Sequence, residues 1–233
     1  MKKFLFFSLI ALAALTVSCK KDNKDIIDDE PDAPKVERLA QIRDAWDWWD
    51  FIYENNKIVK IDRCKGTKVW DFAWNGNSCT VTGQDNFTFE LGANGMVSKM
   101  TWGEDVRTYT YDAAGFLTEV KLNNETVATL TISNGLITKL VEGENITEFE
   151  YSSDANPKGY QLWYDDHDEK IIKSWHRFLI ESGLFGKAPE KIVSGYTKTT
   201  EIGDGESGTL EGLTYDVFTK GSEDIHKYVW AEL

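Results

Sequence analysis

The stretch Tyr109-Thr110-Tyr111-Asp112-Ala113-Ala114-Gly115-Phe116-Leu117-Thr118-Glu119-Val120 contains two apolar alternations separated by a short polar turn. Alternation with a period of two is typical of β-strands, because successive side chains point to opposite faces of a sheet. Gly115 can adopt the positive φ that a tight turn requires. The stretch therefore predicts a β-hairpin.

Related hairpin patterns recur along the chain, with an aromatic or apolar residue marking each copy at positions 53, 74, 89, 111, 132 and 151. A step of about 20 residues accommodates two strands and two turns, and no helix-length crossover separates the copies. We therefore predict a mainly β fold, an antiparallel meander of repeated hairpins that forms a curved or open sheet. Exposed strand edges of such a sheet would favour a protein partner that pairs by strand addition.

The hydrophobic period changes after Tyr164. Apolar residues within 171–179 fall on one helical face, Asp166 and Glu169 form a capping box, and Gly183 fits a helix C-terminus. This pattern predicts one helix near 167–182, packed on the sheet.

Two further patterns flank this region. Alternation returns after Pro189, and residues 225–230 are expected to close the sheet. Near the start, the spacing of Val36, Leu39 and Ile42 indicates a short helix after Pro34.

The N-terminus has the features of an export signal. Residues 1–18 contain a basic start, an apolar run and small residues before Cys19. The sequence Leu15-Thr16-Val17-Ser18-Cys19 resembles the bacterial lipobox, which implies lipidation of Cys19 and a membrane anchor; the alternative is a secreted protein with an incidental cysteine. Residues 19–34 form an acidic and lysine-rich tether, and residues 35–233 form the single predicted domain. An outer-membrane location is expected, facing either the periplasm or the cell surface.

The Tyr111-Asp112 pair with Gly115, Leu117 and Thr118 resembles the YD repeat of Rhs-type bacterial surface proteins. Phe116 stands where that repeat has Arg, and the other copies lack the Asp or the Gly. The wider pattern, over roughly residues 46–160, resembles an uncharacterised family of Bacteroidetes lipoproteins built from degenerate hairpins. The resemblance implies a fold and an envelope location, and it implies no activity.

Charge excludes one class of partner. The chain has 39 acidic and 26 basic residues and a net charge of −13. Removing residues 1–18 takes away Lys2 and Lys3 and no acid, so the net charge becomes −15. Nucleic-acid binding needs clustered Lys and Arg, and we therefore expect no nucleic-acid partner.

The sequence contains no strong metal, cofactor or catalytic motif. The acidic run 165–169 is explained by helix capping, and the three histidines His167, His176 and His226 are too scattered to predict a zinc site. The segment 203–208 lacks the calcium-loop spacing and is expected to be an acidic hairpin loop. We predict no metal, no cofactor and no catalytic residue.

Two cysteines remain once Cys19 is lipidated. Cys64 and Cys79 are predicted to lie on strands separated by a third strand, which is too far for a disulfide, although pairing stays open. We favour two free thiols.

Nine tryptophans are the remaining indication of function. Aromatic packing in the core explains most of them. Trp70 and Trp74 share one strand face, and they are the candidates for an exposed platform that stacks on sugar rings. The leading hypothesis is a non-enzymatic envelope module that binds a glycan or a protein. The alternatives are a carrier that holds a lipid or an unfolded protein on a concave sheet, and a glycan-cleaving enzyme.

Overall fold

This computed structural model describes residues 37–43, 47–163, 170–172, 176–200, 205–213, 217–220 and 224–232. These residues contain sixteen strands and one short helix. In chain order the elements are β1 Glu37–Arg43, β2 Trp48–Glu54, β3 Lys57–Arg63, β4 Lys68–Asn75, β5 Ser78–Gly83, β6 Phe87–Leu91, β7 Val97–Trp102, β8 Asp105–Tyr111, β9 Leu117–Leu122, β10 Glu125–Ser133, β11 Leu136–Glu142, β12 Asn145–Ala155, α1 Arg177–Glu181, β13 Lys191–Thr200, β14 Gly205–Leu213, β15 Val217–Lys220 and β16 Asp224–Glu232. The signal, Cys19, the tether and the capping pair Asp166 and Glu169 lie outside the described residues.

The strands form one antiparallel meander, as the sequence predicts, and the sheet is closed. β16 pairs with β15 and also with β1, where Tyr228 lies opposite Ile42. The expectation that residues 225–230 close the sheet is confirmed. A curved sheet was expected to leave free edges, but each described strand is paired on both sides. Strand addition to a free edge is therefore not available to a partner of the described barrel.

The repeat residues have a common structural role at one end of the barrel. Five of them lie in the second half of an even-numbered strand between β2 and β12, whereas Phe89 is the middle residue of β6. Four of the six donate a hydrogen bond from a side-chain O–H or N–H group to a carbonyl of the preceding strand. The four bonds are Tyr53 Oη to Leu39 O (3.0 Å), Trp74 Nε1 to Ile58 O (2.7 Å), Tyr111 Oη to Val97 O (2.7 Å) and Tyr151 Oη to Ile137 O (2.6 Å). The sequence repeat therefore ties neighbouring strands together.

A recurring register shift explains why buried residues lie three apart in the odd-numbered strands. In β9, Leu117 and Val120 are both buried, and the pairing of β8 with β9 skips one residue between them. In β11, Ile137 and Leu140 show the same spacing beside the shift in the β10–β11 pairing. An extra residue in one strand changes which side chains face inward, so spacings of three become compatible with a strand.

The same effect corrects the predicted helix after Pro34. Leu39 and Ile42 are both buried in strand β1, and the register shifts between Leu39 and Gln41. The spacing of three that indicated a helix is therefore produced by a bulge.

The described residues between β12 and β13, which are 156–163, 170–172 and 176–190 and are here called the internal segment, cross the interior of the barrel. Phe185 packs against Tyr109 on β8, with ring centroids 4.9 Å apart, and Glu181 accepts a hydrogen bond from Tyr228 on β16. β8 and β16 lie on opposite sides of a sixteen-strand barrel. A closed sheet of this size encloses more space than its own side chains fill, so an internal segment is needed to complete the core.

The predicted helix 167–182 is much shorter than expected. The helix α1 covers only Arg177–Glu181, whereas 170–172 are described and are not helical. Tyr109 Oη donates to Ile171 O at 2.9 Å and Arg107 Nε donates to Lys170 O at 3.4 Å, so side chains of the barrel satisfy these carbonyls. Gly183 has φ +78°, as a helix C-terminus requires.

The outer face of the sheet is polar and the inner face is apolar. On β4, Trp70 and Phe72 are buried, whereas Asp71 is exposed. Ile52 and Val229 are the exposed large hydrophobic residues among those described. Among the described residues, no helix has the length and apolar character to cross a bilayer.

Candidate binding site

A cavity of about 520 Å³ lies at the end of the barrel where the repeat residues donate side-chain hydrogen bonds to the preceding strands. Its volume is within the range of small-molecule sites. One wall comes from β1, β2, β3, β4, β6 and β16, and the other comes from the internal segment. The lining residues are Glu37, Arg38, Leu39, Tyr53, Asn56, Lys57, Ile58, Trp74, Leu91, Gly95, Lys158, Gly159, Gln161, Glu181, Ser182, Gly183, Leu184, Gly186, Ala188 and Trp230.

Trp74 and Trp230 are the two indoles of this cavity. Both are partly buried, and β16, β1, β2, β3 and β4 are consecutive neighbours in the sheet. At a strand spacing of about 4.8 Å, the two tryptophans stand roughly 19 Å apart along the wall. The phenol of Tyr53 lies on β2, between them. The aromatic side chains are therefore spread along one wall of the cavity and do not cluster at one position.

The Trp74 ring is held rigidly. Its Nε1 donates to Ile58 O, and its ring meets Phe89 edge-on, with centroids 5.3 Å apart. Lys57 Nζ lies 4.6 Å from the centroid of the Trp74 ring. Similarly, Lys158 Nζ lies 5.6 Å from the centroid of the Trp230 ring. Each indole of the cavity is thus accompanied by an ammonium group.

Tyr53 has a polar end that is held in place by the sheet. Burial raises the pKa of its phenol to about 12, and the nearby Arg38 guanidinium opposes that shift. The phenol is therefore neutral at physiological pH, with its hydrogen directed to Leu39 O.

The internal segment supplies polar groups to the opposite wall. Gln161 is buried, and its Nε2 donates to Gly186 O at 2.9 Å while its Oε1 accepts from Trp163 Nε1 at 2.6 Å. Glu181 is 6% exposed and accepts from the Tyr228 hydroxyl at 3.0 Å. The second carboxylate of the cavity, Glu37, is exposed at the start of β1.

Trp70 is not part of an exposed platform, which corrects the prediction that it stacks on sugar rings beside Trp74. It is fully buried, and its ring packs 4.9 Å from Phe178 of the internal segment. The two tryptophans do share the inner face of β4, but the inner face is the core side of a closed barrel. Trp74 lies near the end of β4 and lines this cavity, whereas Trp70 lies near the start of β4, where it lines a separate cavity of about 240 Å³ with Gln84 and Asp85.

His176 occupies an aromatic environment near Trp70. It is fully buried, with ring centroids 4.5 Å from Trp102 and 4.6 Å from Phe87, and its Nε2 lies 3.5 Å from Asp85 Oδ2. Among the described residues, no group of three or more His, Cys, Asp or Glu side chains could hold a metal. His167 and residues 203–204 lie outside the described part of the chain.

The two described cysteines are free thiols. Cys79 lies on β5 and is buried, and Cys64 lies in the turn after β3 with φ +53°. The strand β4 separates them, as predicted, but Cys64 lies in a turn and not on a strand.

Sequence reasoning identified Trp74 but not the other principal residues of the cavity. Arg38, Lys57 and Glu181 have no distinctive motif, and Trp230 was counted among the core aromatics. These residues meet because β16 closes onto β1 and because the internal segment crosses the barrel.

No protein-family model and no curated protein matches this chain. Among solved structures, it resembles a porin-like protein from Bacteroides uniformis, with a TM-score of 0.59, 11% sequence identity, and coverage of 83% of this chain and 96% of the other. It also resembles a porin-like protein from Bacteroides vulgatus, with a TM-score of 0.52, 13% identity, and coverage of 82% and 98%. At these identities the similarity establishes a shared fold.

Proposed function

We propose that this protein is a lipid-anchored module of the cell envelope that binds a glycan without cleaving it. The observation that carries this proposal is the cavity between the barrel wall and the internal segment, lined by Trp74, Trp230 and Tyr53. Sugar rings present apolar C–H faces and polar hydroxyls. A wall of partly buried aromatic rings with polar groups opposite it is suited to both.

The filled interior favours this function over the alternatives of a carrier or a pore. Ile171, Ile172, Leu179 and Phe185 of the internal segment are all buried. They occupy the space where a carrier would hold a lipid and where a channel would hold water. The cavity at the end of the barrel, about 520 Å³, is larger than a second one of about 240 Å³ beside Trp70 and Asp85, and it is the one that carries this proposal.

The polar outer face supports attachment through a lipid. A barrel whose outer surface is suited to water needs another means of staying at a membrane. The lipobox-like sequence at Cys19 provides one, because acyl chains contribute about 0.8 kcal/mol per buried methylene. Palmitate labelling of the wild type and of Cys19→Ala tests this step; equal labelling of both would contradict lipidation at Cys19.

Glycan binding is tested by calorimetric titration of the folded domain with a panel of neutral and acidic oligosaccharides. We expect at least one of them to bind, and Trp74→Leu and Trp230→Leu each to weaken it about tenfold, equivalent to about 1.4 kcal/mol. Trp48→Leu is the matched control, because Trp48 is partly exposed on β2 and does not line the cavity. Absence of binding across the whole panel would contradict the proposal.

A second candidate function, glycan cleavage, is favoured by one observation. Glu37 and Glu181 are two carboxylates lining the same cavity, and glycosidases use such pairs. Incubating the wild type and Glu181→Gln with the oligosaccharides that bind distinguishes the two functions. Release of new reducing ends by the wild type alone would establish cleavage, whereas unchanged oligosaccharides would support binding.

A further inference from the structure

The cavity concentrates positive charge in a strongly acidic protein. Arg38, Lys57 and Lys158 line it, against the two carboxylates Glu37 and Glu181, while the whole chain has a net charge of −13. At physiological ionic strength the Debye length is about 8 Å, so the distant acidic residues are largely screened from a ligand in the cavity. The local charges therefore decide which ligand is attracted.

Two of these cations form no ion pair with a described residue. Lys57 Nζ donates one hydrogen bond, to Gly76 O at 2.9 Å, which leaves two of its three N–H groups available. Arg38 Nε is buried and has no hydrogen-bond partner among the described residues. Elsewhere in the described residues, Lys99 and Lys187 pair with the nearby acids Glu90 and Glu190.

The acidic groups of the cavity do not neutralise Arg38 and Lys57. Glu181 is buried and accepts the hydroxyl hydrogen of Tyr228. Glu37 is exposed at the first position of β1, and neither Arg38 nor Lys57 forms an ion pair with it. Burial of the Arg38 Nε–H without an acceptor is unfavourable, and a carboxylate bound to the half-buried guanidinium would supply the missing counter-charge.

We propose that the ligand of this cavity is an acidic saccharide, whose carboxylate is bound by Arg38 and Lys57 while its rings lie along Trp74 and Trp230. This proposal rests on the proposed glycan-binding function and specifies its ligand class. A guanidinium binds a carboxylate through paired N–H groups, and hydrogen bonds between charged partners are about twice as strong as neutral ones. A neutral saccharide would leave both cations without a counter-charge.

The test uses pairs of ligands that differ only in charge. Tetragalacturonate and its fully methyl-esterified form have the same rings, and the ester lacks the carboxylates; glucuronate- and sialate-containing oligosaccharides are compared with their own methyl esters. We expect an acid to bind at least tenfold more tightly than its ester. Arg38→Gln and Lys57→Gln should each weaken binding of the acid about ten- to a hundredfold and change binding of the ester by less than twofold.

Lys60→Gln is the matched control, because it removes the same charge from β3 at a position that does not line the cavity. Thermal unfolding of each variant checks that the fold is intact. The acidic-ligand proposal is overturned if every ester binds as well as its acid, or if Lys60→Gln weakens binding as much as Lys57→Gln. It is also overturned if an acidic peptide such as tetraglutamate binds and no acidic saccharide does. If neutral saccharides alone bind, the proposal of glycan binding is retained and the proposal of an acidic ligand is wrong. If no saccharide binds, both proposals are wrong.

Discussion

The hydroxyl of Tyr228 on β16 donates a hydrogen bond to Glu181 Oε1 of the internal segment at 3.0 Å, and both side chains are buried. This contact joins the strand that closes the barrel to the segment that fills it. The two residues are 47 positions apart in the sequence, so the bond forms only when closure and filling are both complete.

Tyr228→Phe should destabilise the domain by about 1–3 kcal/mol, because the buried Glu181 carboxylate loses this hydrogen-bond donor. For a domain of this size, a loss of 1 kcal/mol lowers the melting temperature by about 2–4 °C. Urea unfolding measured by circular dichroism checks the prediction. Glu181→Gln is the comparison, since its amide oxygen can still accept from Tyr228, and it should cost less. Equal stability of Tyr228→Phe and the wild type would show that the contact contributes nothing.

Alkaline pH should destabilise the protein through Tyr53. Burial raises the pKa of Tyr53 to about 12 in the folded state, against about 10 in the unfolded chain. The folded state therefore holds the phenol proton more tightly, so this contribution to stability is complete below about pH 10 and is lost as the pH rises through about 12. Burial also raises the pKa of Tyr109, Tyr111 and Tyr151, in the same direction.

The measurement is the urea midpoint of the wild type and of Tyr53→Phe between pH 8 and pH 12. At pH 8 the variant should be less stable by about 1 kcal/mol, because it lacks the hydrogen bond to Leu39 O. The difference should shrink as the pH rises from 10 to 12. A constant difference across that range would mean that Tyr53 does not contribute to the alkaline transition.

The two thiols of the domain should differ in reactivity. Burial raises the pKa of Cys79 to about 12, so its reactive thiolate is scarce, whereas Cys64 is half-buried and its Sγ donates to Asp47 Oδ1 at 2.8 Å. With Cys19 replaced by serine, a chromogenic disulfide reagent should modify one thiol in the native protein and two in urea. Cys64→Ser should remove the native reaction, and Cys79→Ser should preserve it. Rapid modification of both thiols in the native state would contradict the burial of Cys79.

Gly83 should be intolerant of a side chain. Its φ is +134°, and a Cβ at this position would overlap the carbonyl oxygen of Val69. Gly83→Ala should therefore cost about 3 kcal/mol or more, since the backbone must shift where β5 pairs with β4. Gly76→Ala is the control, because φ is +59° there and the new Cβ would meet no atom within 4 Å, so only about 1–2 kcal/mol of backbone strain is expected. Similar costs for both variants would mean that the overlap is relieved easily.

The strand content and the turn positions could be predicted because both are local. Gly115 and Gly135 have the positive φ that the hairpin turns require. The repeat residues Tyr53, Tyr111 and Tyr151 each follow a register shift at the same place in the strand pairing, whereas on β6 that place is held by Leu91 and not by the predicted Phe89. The spacing of apolar residues led to a wrong prediction where a strand contains a β-bulge. Leu39 and Ile42 are three apart, and the sequence contains no signal that separates a helical turn from a strand with one extra residue.

The predicted helix 167–182 is reduced to α1 among the described residues for a different physical reason. A stripe of apolar residues predicts an amphipathic helix only when one face meets water. The segment around Ile171 and Phe178 lies inside a closed barrel, where apolar side chains are buried in every direction. Barrel side chains such as Tyr109 satisfy its carbonyls, so the segment does not need helical hydrogen bonds.

The sequence by itself determined the hairpins and their order along the meander, because alternation and turn chemistry act over a few residues. Only the tertiary structure decided that the sheet closes, that the described residues between β12 and β13 enter it, and that Arg38, Lys57, Trp74 and Trp230 line one cavity. Closure depends on the pairing of β1 with β16, at the two ends of the described chain. Whether these two ends meet depends on the number of strands and on their stagger, and no local sequence pattern encodes these properties of the whole sheet.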